Sequence, residues 1–243
     1  MTDWIAMGRD GAHVSAHAMR GAQLIATARA PDEAGALAAL KFDAAQQVRI
    51  GDGAPDPLPA PVLPKVAGAA LPGLVQTTPP DVIGARVRLW IAGLLARHPG
   101  WDGVVCALED GVNHWIQISA GEAVSAQSFL TPRLVAALGG TAPPAPDAIA
   151  DSLSRPERLA AHLRAAEVSN RPDAITGHLL GAELAAARPY WLGQQVALIA
   201  PDGAASGMQT ALGDQGVPVE IHSRESLLAE GLGALARAAQ LAD

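Results

Sequence analysis

Short apolar runs broken by turn residues fill the first thirty positions. Trp4-Ile-Ala-Met7, Ala12–Met19 and Gln23–Arg29 are separated by the turn-rich tetrad Gly8-Arg-Asp-Gly11 and by Gly21. That pattern predicts an antiparallel meander of strands. Asp32 can accept a hydrogen bond from a free backbone N–H, which predicts a helix through about Phe42 with Leu37, Leu40 and Phe42 on its apolar side. Val48-Arg-Ile50 reads as a strand closed by Gly51-Asp-Gly53.

Residues 54–64 hold five prolines and predict a loop or extended segment. After Thr77-Thr-Pro-Pro80, Asp81 is expected to begin a helix running to Arg97, with Val82, Ala85, Leu89 and Leu95 at helical spacing. His98-Pro-Gly100 ends it. Further strands are expected at Gly103–Leu108, His114–Ser119 and Glu122–Phe129, the last two joined through Ala120-Gly121. Thr131 is placed as the cap of a helix to Leu138, and 139–148 as a Pro/Gly/Ala linker. Ser154 is placed as the cap of a helix to about Glu167. A long helix is expected over Ala174–Trp191. The last stretch alternates strand and helix: Val196–Ala200, Gly203–Gly213, Val217–Ser223 and Glu225–Leu241. Strands alternating with helices argue for an α/β lobe with a mostly parallel sheet. No repeat at a fixed sequence period is evident.

Composition narrows the function classes. The 243 residues are 49% hydrophobic and 17% charged, with a formal net charge of −7. No stretch concentrates Lys and Arg, so the footprint of a nucleic-acid binder is missing. A phosphorylated ligand stays open, because backbone N–H groups bind phosphate without basic side chains. The single cysteine, Cys106, lies in an apolar run; it forms no internal disulfide and reads as a small core residue. No signal-peptide pattern and no apolar run of membrane-spanning length is visible, which favours a cytoplasmic protein and argues against a membrane partner. His13 and His17 share a strand face, a weak metal signal without a third ligand.

Four stretches carry a resemblance. They are Pro72–Val82; Gly100–Cys106 with Trp115-Ile-Gln-Ile-Ser-Ala-Gly121; Ile175–Arg188 with Leu179-Leu-Gly-Ala-Glu-Leu184; and Val196-Ala-Leu-Ile199 through Val217-Pro-Val219. Together they resemble the 2-dehydro-3-deoxygalactonokinase family (2-keto-3-deoxygalactonate kinase) of the actin-like ATPase and sugar kinase superfamily, over roughly residues 62–243. The first fifty residues match only through Asp3-Trp4. The resemblance implies an α/β protein of two ribonuclease H-like lobes with a cleft between them, the first lobe reduced. The division is expected near residue 100, giving lobes 1–100 and 101–243. It also implies ATP and magnesium as cofactors and transfer of the γ-phosphoryl group to the 6-hydroxyl of 2-keto-3-deoxygalactonate or a related sugar acid. A homo-oligomer is compatible with it.

The chain departs from the family at its chemical loops. Where the family reads Asp-Trp-Gly-Thr-Ser/Thr-Asn, this chain has Asp3-Trp-Ile-Ala-Met-Gly8. Where it reads Pro-Gly-Thr-His-Thr/Ser-Lys-Trp, this chain has Glu109-Asp-Gly-Val-Asn-His-Trp115. Where it reads Arg-Gly-Glu-Glu-Thr-Gln, this chain has Ile83-Gly-Ala-Arg-Val-Arg88. The residues carried over as nucleotide-binding candidates are Asp3, Asp110, Gly111, Asn113, His114, Gly203 and Ser206, with Asp3 also the candidate metal ligand. No general base is identified. A non-catalytic relative that binds a sugar acid, a nucleotide or a partner protein is the alternative. Mid-helix Glu183 reads as a surface charge or interlobe contact.

Overall fold

The computed structural model describes residues 1–64, 68–203 and 205–242. The chain divides into two units. The first comprises Met1–Asp102, Ser119–Ser125 and Arg224–Asp243; the second comprises Gly103–Ile118 and Ala126–Ser223. The sequence places the division near residue 100. In the structure the second unit does open at Gly103, but the last helix is counted with the first.

In the first unit β1 (Asp3–Asp10), β2 (His13–Arg20) and β3 (Gln23–Ala30) form the expected meander. Helix α1 (Glu33–Leu40) follows, with the Asp32 carboxylate accepting from the Gly35 N–H. Next come β4 (Gln46–Ile50), the two-residue strands β5 (Asp56–Pro57), β6 (Ala60–Pro61) and β7 (Ala70–Leu71), then β8 (Leu74–Gln76) and β9 (Asp81–Ile83). The main sheet has the order β3-β2-β1-β4-β7, with β4 and β7 parallel to β1. Central strand β1 is buried on both faces. Trp4 and Ala6 pack with Val48, Leu71 and Leu89, while Ile5 and Met7 pack with Ala36 and Leu40. Alternation of side chains across a strand sends neighbouring residues to the two cores.

Asp81 does not start a helix. Residues 81–83 pair antiparallel with β8, and α2 (Ala85–Arg97) begins after Gly84. The apolar spacing from Val82 misled because Val82 is exposed strand rather than helix face.

The second unit repeats this plan. It contains β10 (Gly103–Leu108), β11 (Asn113–Ser119), the end of β12 (Glu122–Phe129), α3 (Thr131–Ala137), α4 (Pro146–Ser154), α5 (Leu159–Val168), α6 (Pro172–Ala186), α7 (Arg188–Trp191), β13 (Val196–Ala200), α8 (Ser206–Gly213) and β14 (Val219–Ser223). Its sheet has the order β12-β11-β10-β13-β14, with β13 and β14 parallel to their neighbours; the Glu122–Ala123 start of β12, itself counted with the first unit, also pairs antiparallel with β6 as a sixth strand. Each unit therefore sets its first strand at the centre, two antiparallel strands on one side and two parallel strands on the other. The internal repeat is one of topology and not of sequence period.

Three expectations in this unit need correction. Residues 146–148 are helix, not linker, because Pro146 stands at the first helical turn, where its missing N–H costs nothing. Ser154 ends α4 instead of capping the next helix. The long helix breaks at Ala187, since Pro189 has no N–H to continue the ladder. The small residues of α6 allow close packing: a Cβ on Gly181 would stand 2.3 Å from the Ile149 carbonyl oxygen of α4. Helix α9 (Arg224–Ala238) completes the first unit against α2. Among the described residues no helix is long and apolar enough to cross a membrane.

Candidate functional site

The repeated plan gives the two units equivalent first hairpins, and both turn on Asp-Gly. The β1–β2 turn carries Asp10-Gly11 and the β10–β11 turn carries Asp110-Gly111. Six of the seven candidate residues fall in the second unit, and four of those lie in or beside its hairpin turn.

That turn is fixed from several directions. The Glu109 N–H donates to the Val112 carbonyl at 2.9 Å and closes it. Asp110 is exposed. Gly111 lies beneath Arg133 of α3; a Cβ at Gly111 would stand 2.8 Å from the Arg133 Nε. Asn113 and His114 are buried, not exposed on the turn. They point to opposite faces of β11. His114 Nδ1 lies 2.7 Å from the Ser128 hydroxyl and its Nε2 3.3 Å from Glu109. Asn113 Nδ2 donates to both oxygens of Glu183, at 2.9 and 3.2 Å.

Glu183 is the largest departure from the sequence reading. It is 2% exposed, and its hydrogen-bond partners Asn113 and Trp115 lie inside the second unit. Besides Asn113, the Trp115 indole donates to it at 2.9 Å and the Thr131 hydroxyl also donates. Thr131 thus spends its hydroxyl on Glu183 and does not cap α3, whose cap residue is Leu130. Burial pushes the Glu183 carboxyl up, against the pull of the Thr131, Trp115 and Asn113 donors. Burial, then the charge of Glu183, raises the Cys106 thiol well above its ordinary range, consistent with an inert core residue.

Gly203 has φ +79° in the turn after β13, where a left-handed backbone favours glycine. The helix expected to open there starts three residues later, at Ser206. The side chain of Ser206 lies outside the described residues. Gly207 serves packing: a Cβ there would meet Pro144 at 2.5 Å.

Asp3 stands at the start of β1, at the opposite end of the strand from the Asp10-Gly11 turn. Its carboxylate takes two hydrogen bonds from Arg20, at 2.9 and 3.2 Å, and that contact lowers its pKa. Residues 3–8, aligned by sequence with a phosphate loop, are continuous strand. The residue at the turn is Asp10. Arg86 of α2 forms an ion pair with it, Arg29 lies 3.4 Å away, and Ser15 donates at 3.0 Å. These partners hold Asp10 below the usual carboxylate range although its partial burial opposes them. Arg88, at the end of the segment aligned with the family's acidic motif, is buried and structural. It donates to the carbonyls of Val62, Pro61 and Pro72 at 2.8–2.9 Å and pairs with Asp56.

A divalent ion fits these carboxylates unequally. Asp3 and Asp10 are each occupied by guanidinium groups. Asp110 is solvent-exposed on a turn, whereas Asp3 and Asp10 lie along or at the end of a strand; exposure, not freedom from partners, distinguishes it, and magnesium needs only one or two carboxylates besides phosphate and water. Asp10, Arg86, Arg133 and Glu183 are the residues that sequence reasoning missed. The repeated Asp-Gly dipeptide was the available signal for Asp10.

The duplicated sheet order defines a protein of the actin-like ATPase and sugar kinase fold. Solved structures share it. A protein assigned as a 2-dehydro-3-deoxygalactonokinase from Sinorhizobium meliloti matches with TM-score 0.81 at 21% identity, over 98% of this chain and 99% of that one. Component A of (R)-2-hydroxyglutaryl-CoA dehydratase from Acidaminococcus fermentans matches with TM-score 0.54 at 13% identity, over 100% and 99%. The activator of 2-hydroxyisocaproyl-CoA dehydratase from Clostridium difficile, solved with bound ADPNP, matches with TM-score 0.53 at 10% identity, over 99% and 95%. Residues 146–235 match the family described as 2-keto-3-deoxy-galactonokinase, and the resemblance read from the sequence is borne out there. Curated proteins give no match.

Proposed function

We propose that this chain is an ATP-dependent sugar-acid kinase acting on 2-keto-3-deoxygalactonate or a close relative. The observation that carries this reading is the Asp110-Gly111 hairpin turn, held under Arg133, in a unit that holds residues 146–223 of the stretch matching the galactonokinase family. In the reaction the sugar's 6-hydroxyl oxygen bonds to the γ-phosphorus, the bond from that phosphorus to the β–γ bridging oxygen breaks, and the hydroxyl proton leaves to a base. Such transfer rests on positioning and charge stabilisation. The turn's backbone N–H groups and the Arg133 guanidinium supply positive potential for the nucleotide phosphates. Bound magnesium, with Asp110 as its protein ligand, would neutralise phosphate charge. Asn113 and His114 support the turn from within and do not touch the nucleotide.

A second reading, a non-catalytic relative that binds ligand without turnover, is favoured by one observation. Asp10, the first unit's counterpart of Asp110, is engaged by Arg86 and Arg29, and those pairings oppose its use as a metal ligand or base. Calorimetry with ATP and magnesium, followed by a coupled assay of ADP release with the sugar acid, separates the two. Binding with turnover supports the kinase. Binding without turnover supports the second reading. No binding of ATP would remove both nucleotide readings.

A further inference from the structure

We propose that Glu183 is a positioning residue for the nucleotide: through Asn113 it fixes where β11 begins, and so the shape of the Glu109–Val112 turn. The inference rests on the kinase reading above, because it assigns a role in nucleotide binding at the same turn.

Glu183 projects from α6 and is 2% exposed. Burying a carboxylate is costly in general, and well-packed apolar residues often serve stability as well or better. A buried carboxyl group held by several donors therefore points to a geometric task. The partners here are all donors: the Asn113 amide, the Trp115 indole and the Thr131 hydroxyl. An ionised carboxylate is acceptor-only, so that set fits it.

The donors come from two elements that meet at the turn. Asn113 is the first residue of β11, and its backbone faces Leu108, the last residue of β10. Trp115 lies on the same face one pleat further on. Thr131 begins α3, which also carries Arg133. One carboxylate thus ties the exit of the turn to the helix that lays a guanidinium over Gly111. On the other face of β11, His114 holds Glu109 at the entrance of the turn. A glutamine at 183 would set its own N–H groups against the Asn113 amide or the Trp115 indole. Relief requires the Asn113 amide to turn over, which removes the paired donation that anchors the start of β11.

The test uses the full chain with Glu183→Gln, Asn113→Ala and the double variant. ATP–magnesium and sugar-acid affinities are measured by calorimetry, the unfolding midpoint by thermal melting, and the Trp115 indole N–H by NMR, assigned with Trp115→Phe. The expected result is a folded Glu183→Gln protein whose Trp115 indole resonance moves. Its ATP affinity falls about tenfold while sugar-acid affinity stays within about twofold, and the double variant is no worse than Asn113→Ala. If Glu183→Gln does not fold, Asn113→Ala, which leaves Glu183 its Trp115 and Thr131 donors, carries the same ATP readout. Unchanged ATP affinity in a folded variant would overturn the inference and leave the kinase reading standing. So would equal losses for ATP and sugar acid that track the melting midpoint. Wild-type protein that binds no ATP would overturn both.

Discussion

Gly231 of α9 touches Leu89 of α2: a Cβ added at Gly231 would lie 2.0 Å from the Leu89 carbonyl oxygen. Gly93 makes the reciprocal approach, 2.1 Å from the Leu227 carbonyl. The two helices meet backbone to backbone, so the last helix of the chain is packed into the core of the first unit. Gly231→Ala or Gly93→Ala should destabilise the protein by about 3 kcal/mol, because backbone cannot yield as a flexible side chain does. Urea unfolding checks this. A loss under about 0.5 kcal/mol would mean that the helices sit further apart.

Arg88 should behave as a structural residue. Its guanidinium satisfies loop carbonyls and Asp56 inside the first unit. Arg88→Met leaves those acceptors unpaired and should cost about 3–5 kcal/mol. Arg88→Lys should recover only part, since one ammonium cannot reproduce the planar fork. Thermal unfolding distinguishes the two.

His17 should make stability fall in mild acid. It is buried on β2 beside the Thr27 hydroxyl, and burial, aided by the nearby Arg86 charge and opposed by Asp10, lowers its pKa to about 4. Its ordinary value is about 6.5. Between those values the unfolded chain takes up a proton that the folded chain refuses. His17 therefore removes stability as pH falls from about 6.5 to about 4, by roughly 3 kcal/mol in total. His17→Gln should flatten that part of the stability–pH curve. Urea midpoints from pH 7.5 to 4.5 would show it, and equal slopes in both proteins would refute it.

Arg133 and Gly111 should act as one unit. A methyl group at Gly111 would press on the Arg133 side chain, whose exposed far end can move aside without disturbing the core. Arg133→Ala and Gly111→Ala should each weaken ATP binding about tenfold, near 1.4 kcal/mol, and the double variant should weaken it no further. Unfolding midpoints should barely change. Additive losses would place the two residues in separate contacts.

Much of the architecture was legible from residue pattern. The meander, the helix capped by Asp32 and the strands Gly103–Leu108, Glu122–Phe129 and Val196–Ala200 follow from apolar runs and turn residues that local physics controls. Failures came where long-range contacts decide. Asp81 has the composition of a cap but pairs with β8, and Thr131 has a capping hydroxyl but gives it to Glu183. The geometry of the candidate site was half legible. The Asp110-Gly111 turn was found because its hairpin is local. Asp3 stands out in the sequence through its Asp-Trp match, whereas the place of Asp10 at the turn emerges only from strand pairing. Glu183 read as a surface charge because nothing nearby in sequence announces partners on β11 and α3.

The central claim is phosphoryl transfer to a sugar acid, and phosphorus NMR tests it most directly. The full chain is incubated with ATP, magnesium and 2-keto-3-deoxygalactonate. A new phosphomonoester resonance should grow in equal amount with ADP, and Asp110→Asn should slow it at least tenfold. ATP left intact in the presence of the sugar acid, or ADP formed with inorganic phosphate as the sole product, would contradict the account.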